Sequence, residues 1–167
     1  MAIRTGVLTI SDKGSRGERV DTAGPAVAAL IARIGAEVVK TQVVADERWM
    51  VAGELKTWAD VDKLDLILTT GGTGLSARDV TPEATLDVAE RLVPGIAEAM
   101  RQVGRQSTPL ASLSRAVAVT RGRTLIVNLP GSERGARESL EAVLDLIPHS
   151  MQMLGDMPVE QHPVDEP

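Results

Sequence analysis

The run Leu64-Asp65-Leu66-Ile67-Leu68-Thr69-Thr70 leads straight into Gly71-Gly72-Thr73-Gly74. Its apolar residues sit on both parities, so it reads as a strand buried on two faces within a covered, parallel sheet. Glycine loses the most conformational freedom on folding, so a dense run of it needs a compensating reason. From the residues alone two reasons stay open. One is a tight strand-to-helix turn, the other a ligand that must approach the backbone closely.

The rest of the chain fits the same kind of sheet. Ile3 to Ser11 reads as a first strand and Ser11 to Gly17 as a loop. Val27, Leu30, Ile31 and Ile34 fall at i, i+3, i+4 and i+7, an amphipathic helix stopped by Gly35. Glu37 to Val44 is a second strand, Glu47 to Ala59 a helix, and Leu64 to Thr70 the third strand. Strand–helix alternation predicts right-handed crossovers and an α/β fold with a mostly parallel sheet covered on both sides. Further helices are expected at Pro82 to Arg91 and Gly95 to Arg105. Two short strands, Ala116 to Thr120 and Thr124 to Val127, flank a turn in which Arg121 and Arg123 are expected to be solvated. A last helix carries Leu140, Val143, Leu144 and Ile147, with Pro148 as its kink or restart. Residues 1–155 form one domain in this reading. From Asp156 on, three prolines and four acidic residues read as a loose tail.

Composition narrows the chemistry. The chain has no Phe and no Tyr, so Val, Leu, Ile, Ala and Met must build the core beside Trp49 and Trp58. No cysteine is present, which removes disulfides, thiolate metal sites and cysteine nucleophiles. Two histidines, His149 and His162, do not suit a histidine-rich zinc centre. A net charge of −5 argues against nucleic-acid binding. No apolar run approaches the roughly 18 residues of a membrane span. The first residues read directly into a strand, so a cytoplasmic protein without a signal peptide is expected.

Ligands of open parallel sheets bind outside the carboxyl ends of the strands. Three features converge there: the loop from Ser11 to Gly17, Asp46 after the second strand, and Gly71 to Asp79 after the third. The glycine run lacks the lysine of a P-loop and the third glycine of GxGxxG, where Ala77 stands. What remains is a loop whose amides and Thr73 hydroxyl wrap an anion, with Arg78 nearby. Asp46 and Asp79 beside it have the makings of a Mg²⁺ site, since Mg²⁺ takes one or two carboxylates with phosphate oxygens and water. Thr81-Pro82-Glu83 reads as structural, with Thr81 as N-cap and Pro82 in the first turn. Ser132 is expected to cap the helix after Asn128-Leu129-Pro130-Gly131.

Leu66 to Gly74, followed by Arg78-Asp79-Val80-Thr81-Pro82-Glu83-Ala84-Thr85, resembles the signature of the MogA and gephyrin G-domain family. The resemblance extends to Ser11-Asp12, Asp21 to Pro25, Asp46-Glu47, Thr108-Pro109-Leu110, Leu113-Ser114-Arg115 and Leu125 to Ser132, from about Val7 to Leu154. It implies a three-layer α/β/α fold, a homotrimer, and transfer of AMP from Mg·ATP to molybdopterin with release of pyrophosphate. It also implies a molybdenum insertase as partner. Asp46 and Asp79 correspond to the family's essential acids, and Gly71, Gly72, Thr73 and Gly74 to its phosphate-holding loop. Ser11, Asp12, Asn128, Pro130 and Gly131 match segments on the nucleotide side. Arg78, Ser107, Thr108 and Ser114 are the pterin-side candidates. One departure is Gly104, where many relatives carry serine, which shifts that role to Ser107 or Thr108. The resemblance leaves two other readings: a MoaB-type protein that binds the pterin without adenylylating it, and a trimeric scaffold module.

Overall fold

The computed structural model describes residues 2–155, and the tail expected at 156–167 lies outside the described residues. Strands β1 (Arg4–Ile10), β2 (Glu37–Val44), β3 (Leu66–Thr70) and β6 (Thr124–Leu129) run parallel in the order β2-β1-β3-β6. Beyond β6 the sheet turns antiparallel. β5 (Ala118–Arg121) pairs with β6 across the Gly122 turn, and β4 (Arg91–Leu92) pairs with β5 at the edge.

Period-2 alternation divides the buried strand residues between two layers. Val7, Leu66, Leu68, Leu125, Val127 and Leu129 face α2 (Ala23–Ile31), α5 (Pro94–Ser107), α6 (Glu133–Glu141) and α7 (Leu146–Leu154). Leu8, Ile10, Ile67 and Ile126 face α3 (Arg48–Asp60) and α4 (Thr81–Val88) on the other side. The three-layer α/β/α architecture expected from the sequence is therefore present. Trp58, fully buried in the second layer, satisfies its indole N–H on Glu54 Oε2 at 3.0 Å. No helix among the described residues is long and apolar enough to cross a membrane.

Three local expectations are corrected. Asp12–Ser15 is a one-turn helix, α1, capped by Ser11 Oγ accepting from the Gly14 N–H. The helix expected to reach Arg91 stops at Val88. Ala89 is extended there, and Glu90 and Val93 donate their N–H groups to the β5 carbonyls of Thr120 and Ala118. Pro94 also disfavours a helical Val93. Arg121 is not solvated. Its guanidinium forks onto Asp60 at 2.6 and 2.8 Å and donates to Val88 O, so one side chain closes the carboxyl ends of α3 and α4.

The last helical stretch is two helices separated at residues 142–145. Pro148 falls in the first turn of α7, where a missing N–H costs little, while Leu140, Val143, Leu144 and Ile147 are buried as expected.

Candidate active site

The carboxyl ends of β1, β3 and β6 bring the first loop, the glycine loop and the segment after Leu129 together. Gly131 approaches so closely that a Cβ there would lie 3.2 Å from the Gly71 Cα. Gly71 N–H donates to Leu129 O at 3.1 Å, continuing the β3–β6 ladder one residue past the strand. Gly71 and Gly72 then turn the chain at φ of 95° and 66°, a region that disfavours a side chain.

Thr81 is the lock on this turn. It is the first residue of α4 rather than its cap, and it is fully buried. Its N–H donates to Gly72 O at 3.1 Å and its hydroxyl to Gly71 O at 2.9 Å, so the helix start is spent on holding the glycine loop. The tertiary partner outcompetes the local capping bond expected from sequence.

Two clefts meet at this loop and share Ser132. A polar one of about 310 Å³ is lined by Ser11, Arg19, Asp21, Asp46, Gly71, Gly72, Asp79 and Gly131, among others. A more apolar one of about 290 Å³ has Thr73, Gly74, Met100, Gly104, Leu110, Leu113, Ser114 and Pro130 in its walls. The glycine run is thus shared, its first pair facing one cleft and Thr73-Gly74 the other. Among the described residues, the amides of Gly72, Thr73 and Gly74 donate to no protein acceptor. Adjacent unused amides of this kind suit an anion.

Asp46 and Asp79 flank the loop. Asp46 Oδ1 lies 3.3 Å from where a Gly72 Cβ would stand, and Asp79 Oδ2 lies 2.8 Å from the corresponding point at Gly74. Asp46 also exchanges backbone bonds with Asp12: the Asp12 N–H donates to Asp46 Oδ2 at 2.7 Å, and the Asp46 N–H to Asp12 Oδ1 at 3.0 Å. Burial pushes the Asp46 carboxyl above its ordinary value, and the charges of Asp12 and Asp79 push the same way. A cation seated there would relieve that penalty. Asp79 makes a local turn bond, accepting from the Ser76 N–H at 2.9 Å. Among the described residues, no three acidic or histidine side chains are close enough to hold a metal by themselves.

Several expected site residues fall elsewhere. Arg78 does not reach the apolar cleft; it forks onto Asp12 at 2.9 and 3.0 Å and onto Glu47 at 2.8 Å. Those carboxylates draw it over the first loop, and its hydrogen bonds hold Asp12 below the usual carboxylate range. Asp12 braces Asp46 and Arg78 and is not in the cleft wall. Asn128 is fully buried: its amide donates to Thr69 Oγ1 and Thr85 Oγ1 and accepts from the Val117 N–H, tying β6 to β3, to α4 and to the residue just before β5. That network leaves it none of the surface a nucleotide would need. Thr108 and Ser114 line the apolar cleft, while Ser107 sits outside its wall.

Gly104 lines the same cleft, where a Cβ would meet the Ala111 Cβ at 2.8 Å. Its glycine lets the 3-10 segment Pro109–Leu113 lie against α5.

Sequence reasoning missed Arg19 and Asp21 in the polar cleft and Arg101 in the apolar one. Asp21 offered a signal, as a carboxylate three residues ahead of Gly24. It accepts from the Gly24 N–H and from Thr9 Oγ1, fixing the start of α2. Arg19 and Arg101 carried none.

Fold and site together define an open-sheet α/β protein whose glycine loop divides two clefts at the carboxyl ends of its strands. The chain belongs to the family described as the probable molybdopterin binding domain, whose pattern matches residues 6–149. A solved structure of the molybdopterin biosynthesis enzyme MoaB of Thermus thermophilus is 55% identical with a TM-score of 0.88, covering 93% of this chain and 98% of that one. The molybdopterin adenylyltransferase of Escherichia coli is 38% identical, over 96% of this chain and 90% of its own length. The molybdenum cofactor synthesis protein cinnamon of Drosophila melanogaster is 40% identical over 93% of this chain, but the chain spans 26% of that protein's length.

Proposed function

We propose that this chain acts in molybdenum cofactor biosynthesis, binding molybdopterin and transferring AMP from ATP to its terminal phosphate with release of pyrophosphate. The observation that carries the reading is the glycine loop itself, with the amides of Gly72, Thr73 and Gly74 unused, its two halves facing two clefts, and Asp46 and Asp79 beside it. The pterin would lie in the apolar cleft and the nucleotide in the polar one, so their reacting phosphates would meet at the loop. A terminal phosphate oxygen attacks the α-phosphorus, and the bond from that phosphorus to the β-bridging oxygen breaks. Such a displacement needs position and charge stabilisation rather than a covalent nucleophile. The loop amides orient the phosphates, and Arg19 supplies a cation to the polar cleft. Asp46 and Asp79 would hold Mg²⁺ with the help of nucleotide oxygens, and the ion would neutralise charge on the departing pyrophosphate. We further propose a cytoplasmic homotrimer that hands its product to a molybdenum insertase.

The test is incubation of the purified protein with molybdopterin, ATP and Mg²⁺, followed by detection of the adenylylated pterin. Asp79→Asn keeps an oxygen to accept from the Ser76 N–H but removes the charge. It is expected to abolish transfer while leaving the fold and most pterin binding intact, and near-normal turnover would refute the metal-site role. The 55% identity to a MoaB structure favours a second reading, in which the protein binds the pterin without adenylylating it. Pterin binding without product, under conditions where a known transferase works, selects that reading.

A further inference from the structure

Arg115 belongs to neither cleft wall, yet it stands between two residues that do, Ser114 and Ala116. Its backbone N–H donates to Thr73 O at 2.9 Å. Its side chain donates from Nε to Gly74 O at 2.7 Å and from Nη2 to Asp79 O at 2.6 Å. The guanidinium also meets the Glu83 carboxylate in the first turn of α4, whose pKa it holds below the ordinary value. One side chain, 34% exposed, thus grips both ends of the 74–79 turn and the helix behind it.

Besides Arg115, the Arg78 guanidinium ties the turn to Asp12 and Glu47. Leu75, Ser76, Ala77 and Arg78 are exposed, and the ties internal to the turn are the Ser76–Asp79 pair and a long Arg78 N–H bond to Ser76 Oγ. The carboxylate of Asp79 can be no better placed than the backbone that carries it. In positioned phosphoryl chemistry, a misplacement of about 1 Å costs on the order of 10²-fold.

We propose that Arg115 is the positioning residue that fixes Asp79 against the Gly71–Gly74 loop, and that its contribution is read at the Mg·ATP end of the site. The proposal rests on the nucleotide assignment made above and adds a residue to it. The planar fork is what the role requires, because three acceptors in different directions must be met at once. Lysine keeps the charge opposite Glu83 and loses the fork.

The experiment compares the full-length protein with Arg115→Lys and Glu83→Gln. Mg·ATP binding is measured by calorimetry, and exchange of the Ser76 and Asp79 amides by hydrogen exchange. Arg115→Lys is expected to weaken Mg·ATP binding about tenfold or more, the loss of one charged hydrogen bond, and to speed exchange at both amides by a similar factor. Glu83→Gln, which leaves the Gly74 and Asp79 contacts in place, is expected to stay within about twofold. If Arg115→Lys folds poorly, Arg115→Gln replaces it in the same comparison.

Unchanged binding in the arginine variants, or equal weakening by Glu83→Gln, overturns the positioning role. Wild-type protein that binds no Mg·ATP overturns the nucleotide reading itself, so the two failures are told apart.

Discussion

Replacing Gly72 with alanine should damage this protein through one buried hydroxyl. The backbone at Gly72 has φ of 66°, and a non-glycine residue in the left-handed region costs about 1–2 kcal/mol. The added Cβ would stand 2.3 Å from Thr81 Oγ1, and that oxygen has to leave. Rotating it away breaks its bond to Gly71 O, which strands a buried acceptor at about 1–3 kcal/mol. Together these give roughly 2–5 kcal/mol, or a drop of roughly 4–20 °C in the thermal midpoint of a domain this size.

Chemical denaturation of Gly72→Ala, Thr81→Ala and the double variant isolates the cause. With the hydroxyl already gone, Gly72→Ala should cost only the backbone component of about 1–2 kcal/mol, leaving a coupling of about 1–3 kcal/mol. Additive costs would refute the reasoning, because the clash with Thr81 would then contribute nothing. Gly53→Ala serves as the contrast. It lies within α3 with nothing within 4 Å of an added Cβ, so it should stabilise by up to about 1 kcal/mol.

Two more outcomes follow from the site. Burial raises the Asp46 carboxyl above its ordinary value, with the charges of Asp12 and Asp79 adding to it. A raised native pKa means that ionised Asp46 opposes folding, with no penalty below the unfolded value and the full penalty above the native one. Asp46→Asn should therefore melt higher than wild type at about pH 7 and lose that advantage as pH falls toward about 4, the unfolded aspartate range. Thermal melts across that range check it, and a pH-independent difference would contradict it. Gly104→Ser places a Cβ against Ala111 Cβ at 2.8 Å and should cost about 1–3 kcal/mol by overpacking, with Ala111→Gly restoring most of it in the double variant.

Much of the fold could be read from the residues because strand and helix signals are local. The parallel β1–β3 unit, Gly35 as a helix stop and Ser132 as a cap lie where patterning puts them. The glycine loop and its two aspartates were likewise visible, since carboxyl-end placement follows from parallel strands alone. Four of the misses share one physical origin. Arg78, Arg121 and Asn128 each satisfy partners at least 11 positions away, and Thr81 does so 9 and 10 positions away at Gly72 and Gly71. A polar side chain takes the role its nearest partners in space allow, and no local pattern encodes those partners.

By itself, the sequence determined that this chain would build a doubly covered sheet with a glycine turn and carboxylates at one edge. That follows from periodicity and from which residues tolerate φ above zero. Only the tertiary structure decided that the glycine run divides two clefts, that Asn128 is a buried tie, and that Arg115 grips the turn carrying Asp79. Those outcomes depend on segments far apart in the chain arriving together, which only packing against the two apolar layers brings about.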